Sequence, residues 1–505
     1  MRLGDAYGLV LFNSAIFVFL YLPIVLVGYL LALRLRWGRA GIAWLGLASI
    51  FFYGYWNPSF IPLLLASILF NYGAGRLLDE SVWRGSPRAR KALLVGALSA
   101  NLLALGYYKY ANFLSSTVAG LTGFATPVFD VLLPLGISFY TFTQIAYLVD
   151  SYAARRSERS FSAYVLFVTF FPHLIAGPVL HHSEMMPQFL RPGHAVRFAL
   201  ALEGLLFFAC GLAKKVLIAD SAAPAANSVF TLAESAPPGF VDSWLGTLAY
   251  TTQIYFDFSG YSDMAIGLGL LFGIRLPLNF NSPYKARSIV EFWRCWHMTL
   301  SRFLRDYLYI PLGGSRHGPA RRQVNLMLTM LLGGLWHGAS WTFVVWGGLH
   351  GLYLQVNHAW RHLVGKSPRL QGLLGRYPRS AALSAWALTF AAVVVAWVFF
   401  RATSFTAALN MLAGMFAGSG TIGAQLVEAD AAACIAVGLA IAFLAPNSQQ
   451  LLTGAGEKLE RLFSGYRTPA AFWQGLHAGS LLFVIAALVL ASLSWGSNEF
   501  IYFNF

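Results

Sequence analysis

The sequence predicts an all-α membrane protein of many spans, and three observations predict it. Hydrophobic residues make up 57% of the 505 residues and charged residues 11%, against roughly 25% charged in soluble globular domains. A water-facing globule cannot hide so many apolar side chains, whereas a bilayer accommodates them. The charge-poor runs are long enough to cross a hydrocarbon core, which takes about 20 residues of helix. The basic residues fall in short clusters between those runs, as the positive-inside rule expects of cytoplasmic loops. That distribution accounts for the net charge of +15 without nucleic acid. Anionic lipid headgroups, or an anionic substrate arriving from the cytoplasm, are the partners it fits. The three cysteines, Cys210, Cys295 and Cys434, are far apart and form no C-x-x-C, so neither a disulfide framework nor a thiolate metal site is indicated.

The elements follow in order. The first apolar run, about 10–33, exceeds the 7–15 residues of a signal h-region and lacks an A-x-A site, so it reads as a retained span. It ends at RLRWGR (34–39). Runs at about 41–56 and 59–75 are joined by Asn57-Pro58-Ser59, a turn signal. They lead to a second basic cluster of Arg84, Arg88, Arg90 and Lys91. A further run (92–112), a nearly uncharged outer segment (113–129) and another apolar run end at Arg155, Arg156 and Arg159. All these clusters share one side if the N-terminus lies outside. Later apolar runs lie at about 161–180, 199–213, 243–274, 323–349, 383–400, 431–446 and 480–495. The expectation is ten to twelve spans in a single polytopic membrane domain covering 1–505, with added amphipathic or re-entrant helices and no tandem repeat or soluble domain.

The stretch SIVEFWRCWHMTLSRFLRDYLYI (288–310) carries a helical pattern. At 100° per residue, Glu291, Arg294, Cys295, Met298, Ser301, Arg302, Arg305 and Asp306 form one arc. Phe292, Trp293, Trp296, Leu300, Phe303, Leu304 and Tyr307 form the other. Such a helix lies along a membrane surface or lines a polar cavity, and Glu291/Arg294 and Arg302/Asp306 have ion-pair spacing. His297 falls at the seam. It is either a hydrogen-bonded packing residue or a titratable group at the mouth of a buried site.

In QIYFDFSGYSDMAIGLG (253–269), Asp257 and Asp263 sit in an apolar aromatic run. Carboxylates at that depth mark paired sites or a water-filled cavity. They either pair with arginines of the 288–310 helix or orient a catalytic histidine. Glu203 and Asp220 read as span-end or partner charges.

Familiar catalytic signatures are missing. There is no G-x-S-x-G; LVGKSP lacks the upstream glycine of a P-loop; and H-x-x-x-x-D occurs at none of the eleven histidines. His358/His362 and His181-His182 read as helix-end and loop residues, and no metal is indicated. His337 remains, in LLGGLWHGASW (331–341). No Asp or Glu lies between Asp306 and Glu428, so any group orienting this imidazole comes from another helix. An apolar setting disfavours the charged ring, and a neutral imidazole is what a general base must be. Glycines beside it permit close helix contact. The residues alone lead to an intramembrane acid–base site of open reaction, or to a core histidine bonded to a carbonyl.

PLGISFYTF (134–142), FPHLIAGPV (171–179), YFDFSGYSDMAIGLG (255–269), EFWRCWHMTLSRFLRDYLYIPLGG (291–314), LTMLLGGLWHGASWTFVVWGGLHG (328–351) and the terminal FIYFNF (500–505) together resemble the membrane-bound O-acyltransferases. They are most similar to the bacterial alginate O-acetyltransferase branch, which includes peptidoglycan O-acetylating and teichoic-acid D-alanylating relatives. The resemblance runs from about Leu11 to the last residue and is weakest at 405–490. It implies a ring of helices around a central tunnel, with His337 as catalytic histidine and His297 facing it. Asp257, Gln253, Ser259, Trp336 and Trp293 are expected to shape or orient the tunnel. It also implies acetyl-CoA as cytoplasmic donor substrate with no bound cofactor. The acceptor would be a hydroxyl on a periplasmic or membrane-anchored partner protein of a polysaccharide O-acetylation complex, and the enzyme would sit in the bacterial inner membrane with its N-terminus periplasmic. Relatives usually carry arginine where this chain has Cys295. The alternatives are the same chemistry serving peptidoglycan or another glycan, a proton-coupled transporter, or an assembly scaffold without chemistry.

Overall fold

The computed structural model describes residues 12–35, 38–175, 177–190, 197–417, 427–464 and 500–501. The apolar run expected at 480–495 and the last four residues of FIYFNF lie outside them. Among the described residues the regular structure is entirely helical. The chain clusters into two compact units. One comprises the described residues of 1–212, 261–277 and 452–496; the other comprises those of 213–260, 278–451 and 497–505.

The first unit is built from α1 (Leu22–Arg34), α2 (Gly38–Trp56), α3 (Ile61–Leu78), α4 (Pro87–Leu105), α5 (Ala111–Thr122), α6 (Ile137–Ala154), α7 (Phe161–Thr169), α8 (Phe171–Leu174), α9 (His182–Phe189) and α10 (Phe198–Ala213). The predicted turn at 57–59 forms: Asn57 Oδ1 accepts from the Ser59 amide at 3.0 Å. Serine begins two of the helices, Ser86 accepting from Ala89 N and Ser160 from Ala163 N, so orphan amides of the first turn are met. The expected run 161–180 is broken, because α7 stops at Phe170 and α8 turns away. On α1, Val25 and Tyr29 are buried while Ile24, Val27 and Leu31 are exposed along one stripe. Such an outward apolar stripe suits lipid rather than water.

The second unit contains α11 (Asp220–Ala233), the first part of α12 (Phe240–Leu271), α13 (Ile289–Cys295), α14 (Met298–Leu304), α15 (Gly318–His337), α16 (Trp341–Lys366), α17 (Pro368–Arg376), α18 (Pro378–Arg401), α19 (Phe405–Ala417), α20 (Ala429–Leu444) and α21 (Ser448–Leu452); α22 (Ala455–Ser464) belongs to the first unit. Among the described residues, four helical stretches are long and apolar enough to cross a membrane: Phe17–Arg34, Pro58–Leu78, Pro87–Thr122 and Pro378–Arg401. A fifth counts if Ala429–Leu444 and the following helix, bent by 61°, form one span. Several of the other runs expected as spans fold as broken helices or carry polar groups inside.

Two such breaks bear on the site. The helix expected across 288–310 is interrupted: α13 ends at Cys295, Trp296 is extended, and α14 begins after His297. The run 323–349 is likewise not one helix but a hairpin, α15 and α16, turning at 338–340.

Candidate active site

His337 is the last residue of α15. Gly338 beyond it is extended and leaves the helix, and Ser340 caps α16 by accepting from Thr342 N at 3.3 Å. The hairpin closes tightly because a Cβ on Gly334 would run into the Phe343 carbonyl, and one on Gly347 into the Met330 carbonyl. This is the close helix contact expected of the glycines, and it packs His337 to 2% exposure. Its ring lies 4.9 Å from Trp336, 5.1 Å from Trp346 and 5.2 Å from Phe400, mostly edge to face.

His297 owes its place to the break. Its backbone is left-handed (φ 42°, ψ 54°), one of three non-glycine residues with positive φ among those described. That conformation costs roughly 1–3 kcal/mol and persists only where the surroundings enforce it. The enforcement comes from Asn279. Its backbone carbonyl accepts from Met298 N at 2.9 Å, and its Oδ1 accepts from Thr299 Oγ1 at 2.9 Å and Thr299 N at 3.3 Å. His297 Nδ1 lies 3.0 Å from the same Oδ1. A backbone N–H can only donate, so the atom facing it is the amide oxygen, and His297 Nδ1 must be its donor. The neutral ring therefore holds its lone pair on Nε2. Phe258 of α12 stands edge-on to the imidazole at 4.8 Å, and the residue is fully buried.

The two imidazoles lie 6.4 Å apart between ring centroids, with Trp336 6.3 Å from His297. The structure thus brings together His297, His337 and Trp336. Trp293 joins the wall one step away, 5.8 Å from Trp346. Asp257 does otherwise. Its Oδ1 pairs with Lys215 Nζ at 2.7 Å, Lys215 also binds Asp220 Oδ1 at 2.7 Å, and Asp257 Oδ2 accepts from Ile501 N at 2.9 Å. Neither an arginine of 288–310 nor a histidine is the partner; the cation is Lys215. Asp220 thus has the paired role its position implied. Gln253 and Ser259 are buried, and Gln253 Oε1 and Ser259 Oγ meet no hydrogen-bond partner among the described residues. Asp257 and Ser259 lie about 200° apart around α12, so they do not share a face.

The polar arc of 288–310 stays on the outside. Glu291 accepts from Arg287 N at 2.8 Å while Ser288 accepts from Glu291 N, a capping arrangement. Asp306 is held by its neighbour Arg305 at 2.7 and 3.1 Å. Elsewhere, burial pushes the pKa of His182 down to about 4, so its 3.7 Å approach to Glu158 is a carboxylate beside a neutral ring.

Four contributors escaped the sequence pattern: Asn279, Lys215, Phe258 and His350. His350 is fully buried and accepts the Trp293 indole N–H at Nδ1, 3.2 Å. Its signal was the repeat of a histidine thirteen residues beyond His337 in the same glycine- and tryptophan-rich stretch. Phe258 is adjacent to an Asp already singled out. Asn279 sits in a loop, and no periodicity marks it.

Comparison with known proteins places this arrangement in a family context. Residues 101–405 match the family model of the membrane-bound O-acyltransferases. The chain is 43% identical to a peptidoglycan O-acetyltransferase of Helicobacter pylori over 433 residues, covering 80% of this chain and 79% of that one. It is 44% identical over 411 residues to a probable alginate O-acetylase of Pseudomonas aeruginosa, covering 80% and 74%. A teichoic acid D-alanyltransferase of Bacillus subtilis is 26% identical over 51% of this chain and 66% of its own.

Proposed function

Because the chain belongs to the membrane-bound O-acyltransferase family, we propose that this O-acyltransferase moves an acetyl group from cytoplasmic acetyl-CoA to a hydroxyl on the far side of the membrane. The acceptor is a partner protein, periplasmic or membrane-anchored, that passes the acetyl group to a surface polysaccharide. The glycan is alginate or a similar exopolysaccharide, with peptidoglycan as the second choice, since relatives named for both are equally similar. The setting is the bacterial inner membrane with the N-terminus periplasmic. The observation that carries the chemistry is the pair of buried imidazoles 6.4 Å apart.

His337 accepts the proton of the acceptor hydroxyl as its oxygen attacks the thioester carbonyl. The tetrahedral oxyanion collapses, the C–S bond breaks, and the imidazolium returns the proton to the departing thiolate. His297, its ring fixed by the Nδ1–H bond to Asn279, stands across from the base and positions the reacting groups. The aromatic wall of Trp336, Trp346 and Phe400 excludes water that would otherwise hydrolyse the thioester. General-base assistance is typically worth roughly 10²–10⁴-fold. His337→Ala should abolish surface O-acetylation while the protein still inserts and accumulates. Wild-type acetylation by that variant would overturn the assignment.

A further inference from the structure

We infer that His350 is a positioning residue of this site: the polar tie between α13, which leads into His297, and α16, which packs against His337, that sets the spacing of the two histidines. The inference rests on the reading of His337 as the base. Trp293 lies on α13, four residues before His297, and His350 lies on α16, four residues after Trp346. Trp346 in turn packs 5.1 Å from His337. The indole N–H can only donate, so His350 Nδ1 accepts it at 3.2 Å and the neutral ring carries its proton on Nε2. One bond therefore joins the immediate surroundings of both histidines.

The rest of this wall is ring against ring. His350 lies 4.8 Å from Trp346, 5.9 Å from Phe292 and 5.2 Å from Trp293, and Trp346 also meets Trp397 and Phe400. Ring packing resists separation of the pieces but leaves sliding cheap. A directional N–H···N bond fixes their register. Stability alone does not explain the imidazole. His350 is fully buried, and its Nε2–H meets no acceptor among the described residues, a situation that is costly for a buried donor. A phenyl ring would fill the same aromatic slot without that penalty, and the donor it would leave without its acceptor, the Trp293 N–H, is on a half-buried residue. The nitrogen is retained for the bond to Trp293, and through it for the separation of the two imidazoles.

The test measures thiol release from acetyl-CoA by the full-length protein, purified with whatever acceptor partner accompanies it. His350→Phe and Trp293→Phe each remove the tie and keep a ring. Each should lower kcat roughly 10- to 100-fold, the scale of a small misplacement in an active site. KM for acetyl-CoA should hold, and the unfolding midpoint of His350→Phe should hold or rise. The double variant should be no slower than the worse single variant, because both remove one interaction. His350→Gln, whose Oε1 can accept the same indole proton, should recover part of kcat. Losses that multiply in the double variant, unfolding midpoints that fall in step with kcat, or wild-type kcat in both singles would overturn the inference. His337→Ala is measured alongside. If it releases thiol normally, the reading of the base falls; if it is dead while the His350 variants are normal, only the tie falls.

Discussion

Two polar centres are buried in the same unit, and they are held in opposite ways. At the imidazole pair neutral groups close in: an amide oxygen, indoles and phenyl rings stand around His297 and His337. At the other centre an ammonium sits between two carboxylates, Lys215 with Asp220 and Asp257, 1–13% exposed, with the Phe500 ring 4.8 Å from Nζ. α12 serves both, since Asp257 reaches the ions and Phe258 the imidazole. A base must change protonation during turnover, and a fixed charge beside it would bias that change. An ion cluster, by contrast, is a good anchor, because breaking it strands a buried charge. The difference fits the proposed division, with anchoring at the ions and chemistry at the neutral site.

The comparison breaks most visibly at Lys215. Lys215→Met leaves two carboxylates without their cation, and loss of one buried partner costs roughly 3–5 kcal/mol. The expected outcome is a large drop in folded protein recovered from membranes, with part regained on adding Asp257→Asn. Normal yield and an unchanged unfolding midpoint for Lys215→Met would show that the ions anchor nothing.

Asn279→Leu probes the neutral centre. It removes the acceptor shared by His297 Nδ1 and by the Thr299 amide and hydroxyl, which leaves the left-handed backbone at His297 held there only by the main-chain bond from Met298 N to the residue 279 carbonyl. Activity per folded molecule should fall roughly 10²-fold, with a stability loss of about 2 kcal/mol, smaller than at Lys215. A variant that loses fold but not kcat would reverse the roles of the two centres.

What the sequence could reveal of these centres follows from range. Composition and the spacing of apolar runs report burial in a bilayer, so the all-helical membrane class was legible. The W-H-G and R-x-W-H segments singled out His337 and His297, which the structure brings within 6.4 Å of each other. Periodicity assumes an unbroken helix, and nothing local signals the left-handed turn at His297: no glycine or proline stands there, and the cause is Asn279, eighteen residues away. The same blindness to distant partners let arginines of 288–310 stand as expected mates for Asp257, when the cation was Lys215 beyond a loop and a helix. A lysine pair among apolar residues, KKVLIAD, was the available signal; Asp220 lies in the same segment, but Asp257 is 42 positions beyond Lys215.

The smallest effect is expected at a third carboxylate, Asp79, in the other unit, which sharpens the contrast because neutral donors dominate its surroundings. Oδ1 accepts from Ser81 N and Oγ at 2.9 and 2.7 Å, and Oδ2 from Ser157 N and Oγ at 3.0 and 3.1 Å, with Arg76 only at 3.8 Å. Burial alone would raise its pKa, but the four hydrogen bonds outweigh that and hold the carboxyl well below the usual carboxylate range. The folded state therefore binds its proton less readily than the unfolded chain. The stability it supplies is complete above the unfolded value of about 4 and is lost as pH falls below that. Asp79→Asn turns an N–H toward one set of donors, so it should unfold at a lower temperature than wild type at pH 7. The two unfolding curves should begin to converge as pH falls below about 4, where the wild-type carboxyl starts to lose its advantage. Midpoints measured across that range in detergent decide it. Parallel curves would mean that hydroxyl and amide donors do not hold this carboxylate as an ammonium holds Asp257.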